Sequence, residues 1–201
     1  MSAIAVLAWG SLVWDPRPEF DRRHDPWEAD GPVLKLEFSR ISAGRNGALT
    51  LVIDPVCGVS NQVSFAISRR TVLADAVADL QQREGTVASR IGVLCRASGR
   101  LQSHDPEAGE AVAQWAAAKG IDAVVWTDLP GNFEEKTGRA FSIDAAITYL
   151  QGLDAPARGK AVAYIANAPG FIQTPLRRAL IAETWFAAEA QALGLPGPAP
   201  G

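Results

Sequence analysis

The sequence predicts an α+β protein whose sheet is mixed and mostly antiparallel, and three observations favour this class. Ile4–Trp14 (IAVLAWGSLVW) begins with the continuous apolar run typical of a strand buried on both faces. Val33–Ser42 (VLKLEFSRIS) alternates apolar with polar residues, as a half-buried strand does. The predicted elements then follow the order β, β-meander, α, β, α, β, α, β, α, which is typical of α+β folds.

The first third of the chain predicts an antiparallel meander. Asp15–Pro32 is rich in Pro, Asp and Arg and is predicted to be a surface loop. In the strand Val33–Ser42, alternation assigns Leu34, Leu36 and Phe38 to one face and Lys35, Glu37 and Ser39 to the other. Asn46-Gly47 favours a hairpin turn, after which Ala48–Asp54 returns as the partner strand. Gln62–Ile67 is predicted as the next strand.

The rest of the chain predicts alternating helices and strands. Helices are predicted over Val72–Arg83, Glu107–Lys119, Ile143–Leu150 and Thr174–Leu193. Strands are predicted over Ile91–Cys95, Ile121–Trp126 and Lys160–Ile165, with a polar loop over Gln102–Gly109. We expect a single domain over residues 1–201 that ends in a flexible tail, residues 195–201.

Composition excludes several classes of function. At 201 residues with 48% apolar content, the chain can bury a sizeable core. A net charge of −3 argues against a nucleic-acid partner, because phosphate binding needs a basic face. No apolar stretch approaches the length of a membrane span, and no basic region precedes the first apolar run. These features predict a cytoplasmic protein without a membrane partner.

The reactive residue types add further exclusions. Cys57 and Cys95 lie in strand-like apolar contexts, which favours buried free thiols over a disulfide or redox pair. His24 and His104 both lie beside Asp-Pro turns, so a His-rich metal site is not indicated. Ser11 lies in Gly-Ser-Leu and not in the G-x-S-x-G elbow of Ser–His–Asp hydrolases.

Two stretches have both a structural and a functional interpretation. Gly10-Ser11 ends the first strand, where unpaired N–H groups can converge on an anion or a carbonyl oxygen, or where an ordinary turn suffices. Glu84 ends a helix in LQQREG, against the negative end of the helix dipole, which predicts a raised pKa suited to proton transfer. The alternative is a solvated carboxylate that Arg83 neutralises.

Several motifs occur in an order that resembles one family. Trp9-Gly10-Ser11-Leu12 stands where that family has Y-G-S-L/N after its first strand, and Glu84 stands where it has a glutamate after a helix. The hairpin from FSRIS to QVSFAI and the late Ala163–Ala166 (AYIA) are also similar. The chain thus resembles the γ-glutamylcyclotransferase fold family, particularly its ChaC-like glutathione-degrading branch, over about half of its length.

The resemblance implies a fold and an activity. It implies a sheet that closes into a small barrel with flanking helices, and a lyase that releases 5-oxoproline from a γ-glutamyl amide. Because the substrate's own α-amine attacks, the enzyme mainly positions the substrate and moves protons. Glu84 would be the general acid/base, and no metal or organic cofactor is needed. The implied substrate-binding residues are Trp9, Gly10, Ser11, Leu12, Arg40 and Tyr164.

Two departures from the family pattern bear on function. Trp9 replaces the usual tyrosine, which removes a hydroxyl and makes the wall of the site bulkier. Residues 103–153 have no recognised counterpart, so they are predicted to be an inserted lobe that caps the site, decorates the surface or binds a partner. Glu134 and Glu135 are rival carboxylates in this lobe, although a neighbouring acidic pair in a Gly/Asn loop is typical of solvated surface.

Alternatives to the cyclotransferase remain open at this point. The same fold and glutamate would serve an enzyme that removes a γ-glutamyl group in a biosynthetic pathway. A non-catalytic relative, in which Trp9 fills the pocket and the lobe binds a protein, is the alternative from another class. We expect a small γ-glutamyl molecule as the partner.

Overall fold

The computed structural model describes residues 3–195. The chain folds into two compact units. Unit 1 comprises the described parts of Met1–Leu34 and Gln62–Leu129, and unit 2 comprises those of Lys35–Asn61 and Pro130–Gly201. The predicted tail lies outside the described residues except for Leu195. In the part of the chain that is described, none of the helices combines the length and the apolar character that crossing a membrane requires.

The described residues form eight strands and nine helices. The strands are β1 (Ile4–Ala8), β2 (Val33–Ser42), β3 (Ala48–Ile53), β4 (Val59–Gln62), β5 (Ser64–Ile67), β6 (Ile91–Cys95), β7 (Arg100–Gln102) and β8 (Ala123–Thr127). The helices are α1 (Ser11–Trp14), α2 (Pro18–Asp21), α3 (Leu73–Glu84), α4 (Pro106–Lys119), α5 (Phe133–Thr137), α6 (Ile143–Gln151), α7 (Ala155–Ala166), α8 (Pro175–Ala182) and α9 (Thr184–Ala192).

Unit 1 is built on a mixed five-stranded sheet in the order β5-β1-β8-β6-β7. The β1–β8 pair is parallel, and the other pairs are antiparallel. All five residues of β1 are buried, which confirms the predicted strand with two covered faces. Helix α3 packs on this sheet through Ala76 and Leu80, which join Val6, Val93 and Val125 in one apolar cluster. This packing fixes the C-terminal end of α3 relative to the sheet.

The segment 103–153 contributes to the centre of that sheet. Its strand β8 lies between β1 and β6, and its helix α4 packs on β6 and β8. Asp105 caps α4 by accepting a hydrogen bond from the Glu107 N–H, and Gly120 ends it at a positive φ of 69°. The predicted helix over Glu107–Lys119 is thereby confirmed, with α4 beginning one residue earlier.

Unit 2 contains a three-stranded sheet, order β3-β2-β4, and the helices α5–α9. The hairpin predicted at Asn46-Gly47 is confirmed: β2 pairs antiparallel with β3, and these two residues have positive φ values of 55° and 86°. Helix α7 packs against β3 and α9. Ser142 caps α6 as predicted, because its side chain accepts a hydrogen bond from the Ala145 N–H.

The sheet topology corrects two expectations. Neither described sheet closes into a barrel, so the barrel that the resemblance implies is wrong. The predicted α+β class with a mixed sheet is confirmed. The meander is also interrupted. Val63 separates β4 from β5: its N–H donates to the Pro32 carbonyl, and its carbonyl accepts from the Gly31 N–H. Strand β5 pairs with β1 and does not continue the predicted meander.

Helical structure near the C-terminus differs from the prediction. Lys160–Ile165, predicted as a strand, lies within helix α7. Asp154 caps that helix by accepting from the Ala157 N–H at 2.8 Å, Pro156 occupies its first turn, and alanine-rich sequence favours its continuation. A short apolar run does not distinguish a strand from a buried helix. The predicted helix Thr174–Leu193 is two helices, because Glu183 has extended backbone angles between α8 and α9.

Candidate functional site

Strand β1 ends in a sharp turn at Gly10. Gly10 has φ −122° and ψ −134°, and the single helical turn α1 follows directly. Its carbonyl accepts from the Val13 N–H at 2.9 Å, and the Ser11 carbonyl accepts from the Asp15 N–H at 2.9 Å. Ser11 and Leu12 are 6% and 8% exposed, and Trp9 is also buried. The predicted binding element is therefore a tightly folded, mostly covered turn at the end of a core strand.

Arg83 fastens this turn to helix α3. Its side chain is 5% exposed, and Nη2 donates to the main-chain oxygens of Ser11 at 3.1 Å and Asp15 at 2.9 Å. Nη2 also lies 3.8 Å from the Asp15 carboxylate. A buried guanidinium needs such acceptors, and each bond restricts the turn relative to the helix.

Glu84 is the last residue of α3, as predicted. Gly85 follows with a positive φ of 59°, and the Gly85 and Thr86 N–H groups bond the carbonyls of Gln82 and Gln81. The Glu84 side chain is 19% exposed, and its Oε1 lies 3.7 Å from Arg83 Nη1. The carboxylate thus remains accessible while its neighbour holds the Ser11 turn.

The sheet topology brings the same segments to one edge. Because β1 and β8 are parallel neighbours, their carboxyl ends meet at the edge where Ser11 and Asp128 follow them. Strand β6 begins at this edge, with Ile91 opposite Thr127, and the Asp128 N–H donates to the Arg90 carbonyl at 2.8 Å. Ligands of open sheets with parallel strands bind outside the carboxyl ends of those strands.

A histidine–aspartate pair lies at this edge and was missed in the sequence. His104 Nδ1 is 2.8 Å from Asp128 Oδ1, and the His104 N–H donates to Oδ2 at 2.6 Å. The Trp126 indole N–H and the Ser103 hydroxyl also donate to this buried carboxylate. A carboxylate bonded to Nδ1 fixes the imidazole tautomer and orientation, as acid–base catalysis requires. The only signal in the sequence was a polar residue directly after a buried strand.

A cleft of about 440 Å³ opens beside α1. Its apolar walls come from Leu12, Val13, Trp14, Pro16, Pro26 and Trp27. Its polar lining residues are Asp21, His24, Asp25 and Arg69. Glu84 is not among the described residues that line it, whereas Leu12 of the predicted binding element is. The cleft therefore continues from the Gly10–Leu12 turn on the side formed by residues 12–16.

His24 is the most covered polar residue of this cleft. Its side chain is 6% exposed, and its ring contacts Trp27 with centroids 4.4 Å apart. Nδ1 lies 2.6 Å from the Asp25 carbonyl, which only accepts, so Nδ1 carries a proton. Among the described residues Nε2 has no hydrogen-bond partner and lies 3.9 Å from Asp21 Oδ1. In the neutral ring, Nε2 is an acceptor.

Arg40 and Tyr164, the other predicted binding residues, belong to unit 2. Arg40 Nη1 donates to the Pro130 carbonyl at 2.8 Å, which attaches a loop to β2. Tyr164 is 6% exposed and lies in α7 rather than in the predicted strand. Its ring makes an edge contact with Phe38, and the Arg45 guanidinium lies 4.8 Å from its centroid.

Unit 2 also contains a buried acidic cluster that the alternating pattern of β2 concealed. Glu37, predicted on the polar face of a half-buried strand, is fully buried, and it accepts from the Phe38 N–H at 2.8 Å and the Leu176 N–H at 3.2 Å. Burial raises the pKa of Glu37, and the nearby Asp54 charge raises it further. Burial and the charges of Asp54 and Glu37 also raise the pKa of the Cys57 thiol.

The remaining candidate residues are the acidic pair on α5, the two cysteines and the residue types that bind metals. Glu134 and Glu135 are exposed on α5, and Glu135 pairs with Lys136 at 2.9 Å, as the solvated interpretation predicted. Cys57 and Cys95 are free thiols, as predicted, but both are partly exposed rather than buried. Among the described residues, no group of three His, Cys, Asp or Glu side chains has the arrangement of a metal site.

Comparison of the chain with protein-family models, with curated proteins and with solved structures gave no significant match.

Proposed function

We propose that this chain is a γ-glutamylcyclotransferase-like lyase that releases 5-oxoproline from a γ-glutamyl amide. The observation that carries the proposal is the pair of hydrogen bonds from Arg83 to the Ser11 and Asp15 carbonyls. They hold the end of α3, with the accessible Glu84 carboxylate, against the turn that resembles the family's substrate-binding motif. The position of this turn at the carboxyl end of a parallel strand is a further support.

The reaction needs one group that moves protons. Glu84 accepts a proton from the substrate's α-ammonium, and the freed amine attacks the γ-carbonyl carbon. A new C–N bond closes the five-membered ring, and the amide C–N bond then breaks. The protonated Glu84 carboxyl gives its proton to the departing nitrogen, which regenerates the carboxylate. The carboxylate then takes the second proton from the ring nitrogen and passes it to the released amine, so that the lactam keeps one N–H and the amine leaves as an ammonium. Because attack is intramolecular, orientation of the substrate supplies much of the acceleration.

The turn after β1 stabilises the charge that develops on the carbonyl oxygen. In the proposal, main-chain N–H groups of Gly10, Ser11 and Leu12 donate to this oxygen or to the substrate carboxylate. Arg83 restrains the Ser11 segment, so these groups need little reorganisation as charge develops. Trp9, buried at the base of the turn, forms an apolar wall.

The roles of Arg40 and Tyr164 rest on the resemblance alone. The resemblance implies that Arg40 pairs with a substrate carboxylate and that Tyr164 hydrogen-bonds substrate, but both residues belong to unit 2, and the proposed reaction is argued from unit 1 alone. The proposed reaction uses no metal or organic cofactor. In the proposal, the protein is cytoplasmic and acts as an enzyme rather than as an interaction module.

The test is 5-oxoproline release from a panel of γ-glutamyl amides by wild type and by Glu84→Gln. Gln keeps the size of the side chain but accepts no proton, so we expect release to fall at least about 100-fold with the circular dichroism spectrum unchanged. Glu134→Gln and Glu135→Gln, which alter exposed carboxylates, are the matched controls and are expected to retain release. Undiminished release by a folded Glu84→Gln variant would refute the proton-transfer role.

A further inference from the structure

The cleft beside α1 has the size and lining of a small-molecule site. Its volume of about 440 Å³ lies within the range of ligand pockets, roughly 300–1,000 Å³. Two indoles, Trp14 and Trp27, and two prolines line it together with Leu12 and Val13. Such walls suit an alkyl chain or the face-on approach of a cation to an aromatic ring.

The cleft begins where the proposed catalytic turn ends. Leu12 belongs to the turn and also lines the cleft, and Trp14 and Pro16 flank Asp15, whose carbonyl Arg83 holds. A substrate whose γ-carbonyl lies at the turn would therefore extend its leaving group along residues 12–16. This step rests on the proposed function.

Among the described polar groups of the cleft, the Asp21 carboxylate has no Lys or Arg side chain paired with it, and its basic neighbour is His24, whose Nε2 lies 3.9 Å from Oδ1. Asp25 pairs with Arg69, whose Nε lies 3.0 Å from Asp25 Oδ1. Asp21 accepts from the Arg17 main-chain N–H at 2.8 Å, and no Lys or Arg side chain in the described part of the chain pairs with it. Beside it, His24 Nε2 has no hydrogen-bond partner among the described residues, and it is an acceptor when the imidazole is neutral.

We propose that this cleft binds the leaving-group end of the substrate and selects a leaving amine that carries a second, cationic amino group. Asp21 attracts the ammonium, His24 adds a hydrogen-bond acceptor, and Trp14 and Trp27 enclose the alkyl chain that precedes it. A leaving group that ends in a carboxylate is disfavoured, because Asp21 repels it and Arg69 is already paired with Asp25. The substrate class is then the γ-glutamyl amides of alkyl diamines.

The experiment compares three γ-glutamyl amides with the same four-carbon chain. The leaving amines are 1,4-diaminobutane, butylamine and 4-aminobutanoate, so that the far end is cationic, neutral or anionic. We expect kcat/KM for 5-oxoproline release from the diamine amide to exceed that of the butylamide about tenfold, with the carboxylate amide lowest. Equal values for the three amides would overturn the inference and leave the proposed lyase intact.

Two variants assign the selectivity to the cleft. Asp21→Asn keeps the acceptor for the Arg17 N–H but removes the charge, so the diamine preference should fall to about twofold or less. Glu19→Gln removes the same charge from the same short helix at a carboxylate 77% exposed and outside the cleft, and should retain the preference. A preference that survives Asp21→Asn contradicts the inference.

Binding separates failure of the inference from failure of the lyase. Titration calorimetry of the three amides with Glu84→Gln, which is expected to bind without turnover, should give the same order of affinity. If wild type releases no 5-oxoproline but binding of the diamine amide depends on Asp21, the lyase is refuted and the ammonium site stands. Absence of both release and Asp21-dependent binding refutes both.

Discussion

The Arg83 guanidinium donates to the Ser11 carbonyl across a separation of 72 residues in sequence, at a distance of 3.1 Å. The same nitrogen donates to the Asp15 carbonyl at 2.9 Å. Since the Arg83 side chain is 5% exposed, water does not readily replace these bonds. Arg83 therefore joins the turn after β1 to the helix end that carries Glu84.

Replacement of Arg83 by Met should loosen this junction. The Ser11 and Asp15 carbonyls lose a buried, charged donor, so we expect the free energy of unfolding to fall by about 2 kcal/mol. If Glu84 acts at the Ser11 turn, kcat/KM for 5-oxoproline release should also fall at least about tenfold. Urea unfolding and the release assay measure the two effects separately.

Arg22→Met is the matched control for that prediction. Arg22 pairs with Glu19 at 2.7 Å, but its side chain is 69% exposed, and exposed ion pairs contribute about 0–1 kcal/mol. Equal losses of stability in the two variants would show that the bonds of Arg83 to the turn contribute no more than a surface pair.

Local patterns predicted those elements whose ends carry their own signals. Gly120 ends α4 and Ser142 caps α6 through interactions with neighbouring residues, so both boundaries were visible in the sequence. The strand predicted at Lys160–Ile165 was wrong because its apolar run fits either a strand or a buried helix, and tertiary packing decided between them. Glu37 was assigned to the polar face of a half-buried strand, although it is fully buried, because alternation does not show what covers a sheet.

Only those residues of the candidate site that belong to a local sequence motif could be predicted. Gly10-Ser11-Leu12 and Glu84 stand out as a strand end and a helix end, whereas the bonds of Arg83 to that strand end are invisible in either segment alone. His104 and Asp128 are 24 residues apart and meet because β8 and the start of α4 share an edge of the sheet. Their contact depends on the sheet order, which no local pattern encodes.

Burial of Glu37 should make stability depend on pH. Burial raises the pKa of Glu37 in the folded state above its ordinary value of 4.5, so the folded protein binds the proton more tightly than the unfolded chain does. The contribution of this tighter proton binding to the free energy of unfolding is fully present below the pKa of Glu37 in the unfolded chain, and it is lost as pH rises through the pKa in the folded state. As pH rises above about 4.5, we expect the unfolding free energy of wild type to fall relative to that of Glu37→Gln.

Urea unfolding at a series of pH values between about 4 and 8 measures this difference. Glu134→Gln is the control, because Glu134 is exposed on α5 and should leave the pH profile unchanged. A Glu37→Gln difference that stays constant with pH would show that Glu37 titrates alike in the folded and unfolded states.

The two free thiols should differ in reactivity. Burial and the negative charges of Asp54 and Glu37 raise the pKa of Cys57, whereas hydrogen bonding with Ser98 lowers the pKa of Cys95. At pH 8 we expect iodoacetamide to alkylate Cys95 several-fold faster than Cys57 in the native protein. Mass spectrometry of the Cys57→Ser and Cys95→Ser variants measures each rate, and equal rates in urea are the expected unfolded reference. Faster labelling of Cys57 than of Cys95 in the native state would contradict the raised pKa that burial, Asp54 and Glu37 give to Cys57.

Gly92 on β6 is required by the indole of Trp126 on β8. A Cβ at position 92 would overlap the Trp126 ring, which is fully buried and cannot turn away without losing its bond to Asp128. We therefore expect Gly92→Ala to lower the free energy of unfolding by about 3 kcal/mol. Gly44→Ala is the control: no atom lies within 4 Å of the new methyl group, so it should change the free energy of unfolding by less than about 0.5 kcal/mol. In a Trp126→Leu background the cost of Gly92→Ala should shrink, because the overlapping ring is gone; an undiminished cost would assign the effect to the strand backbone instead.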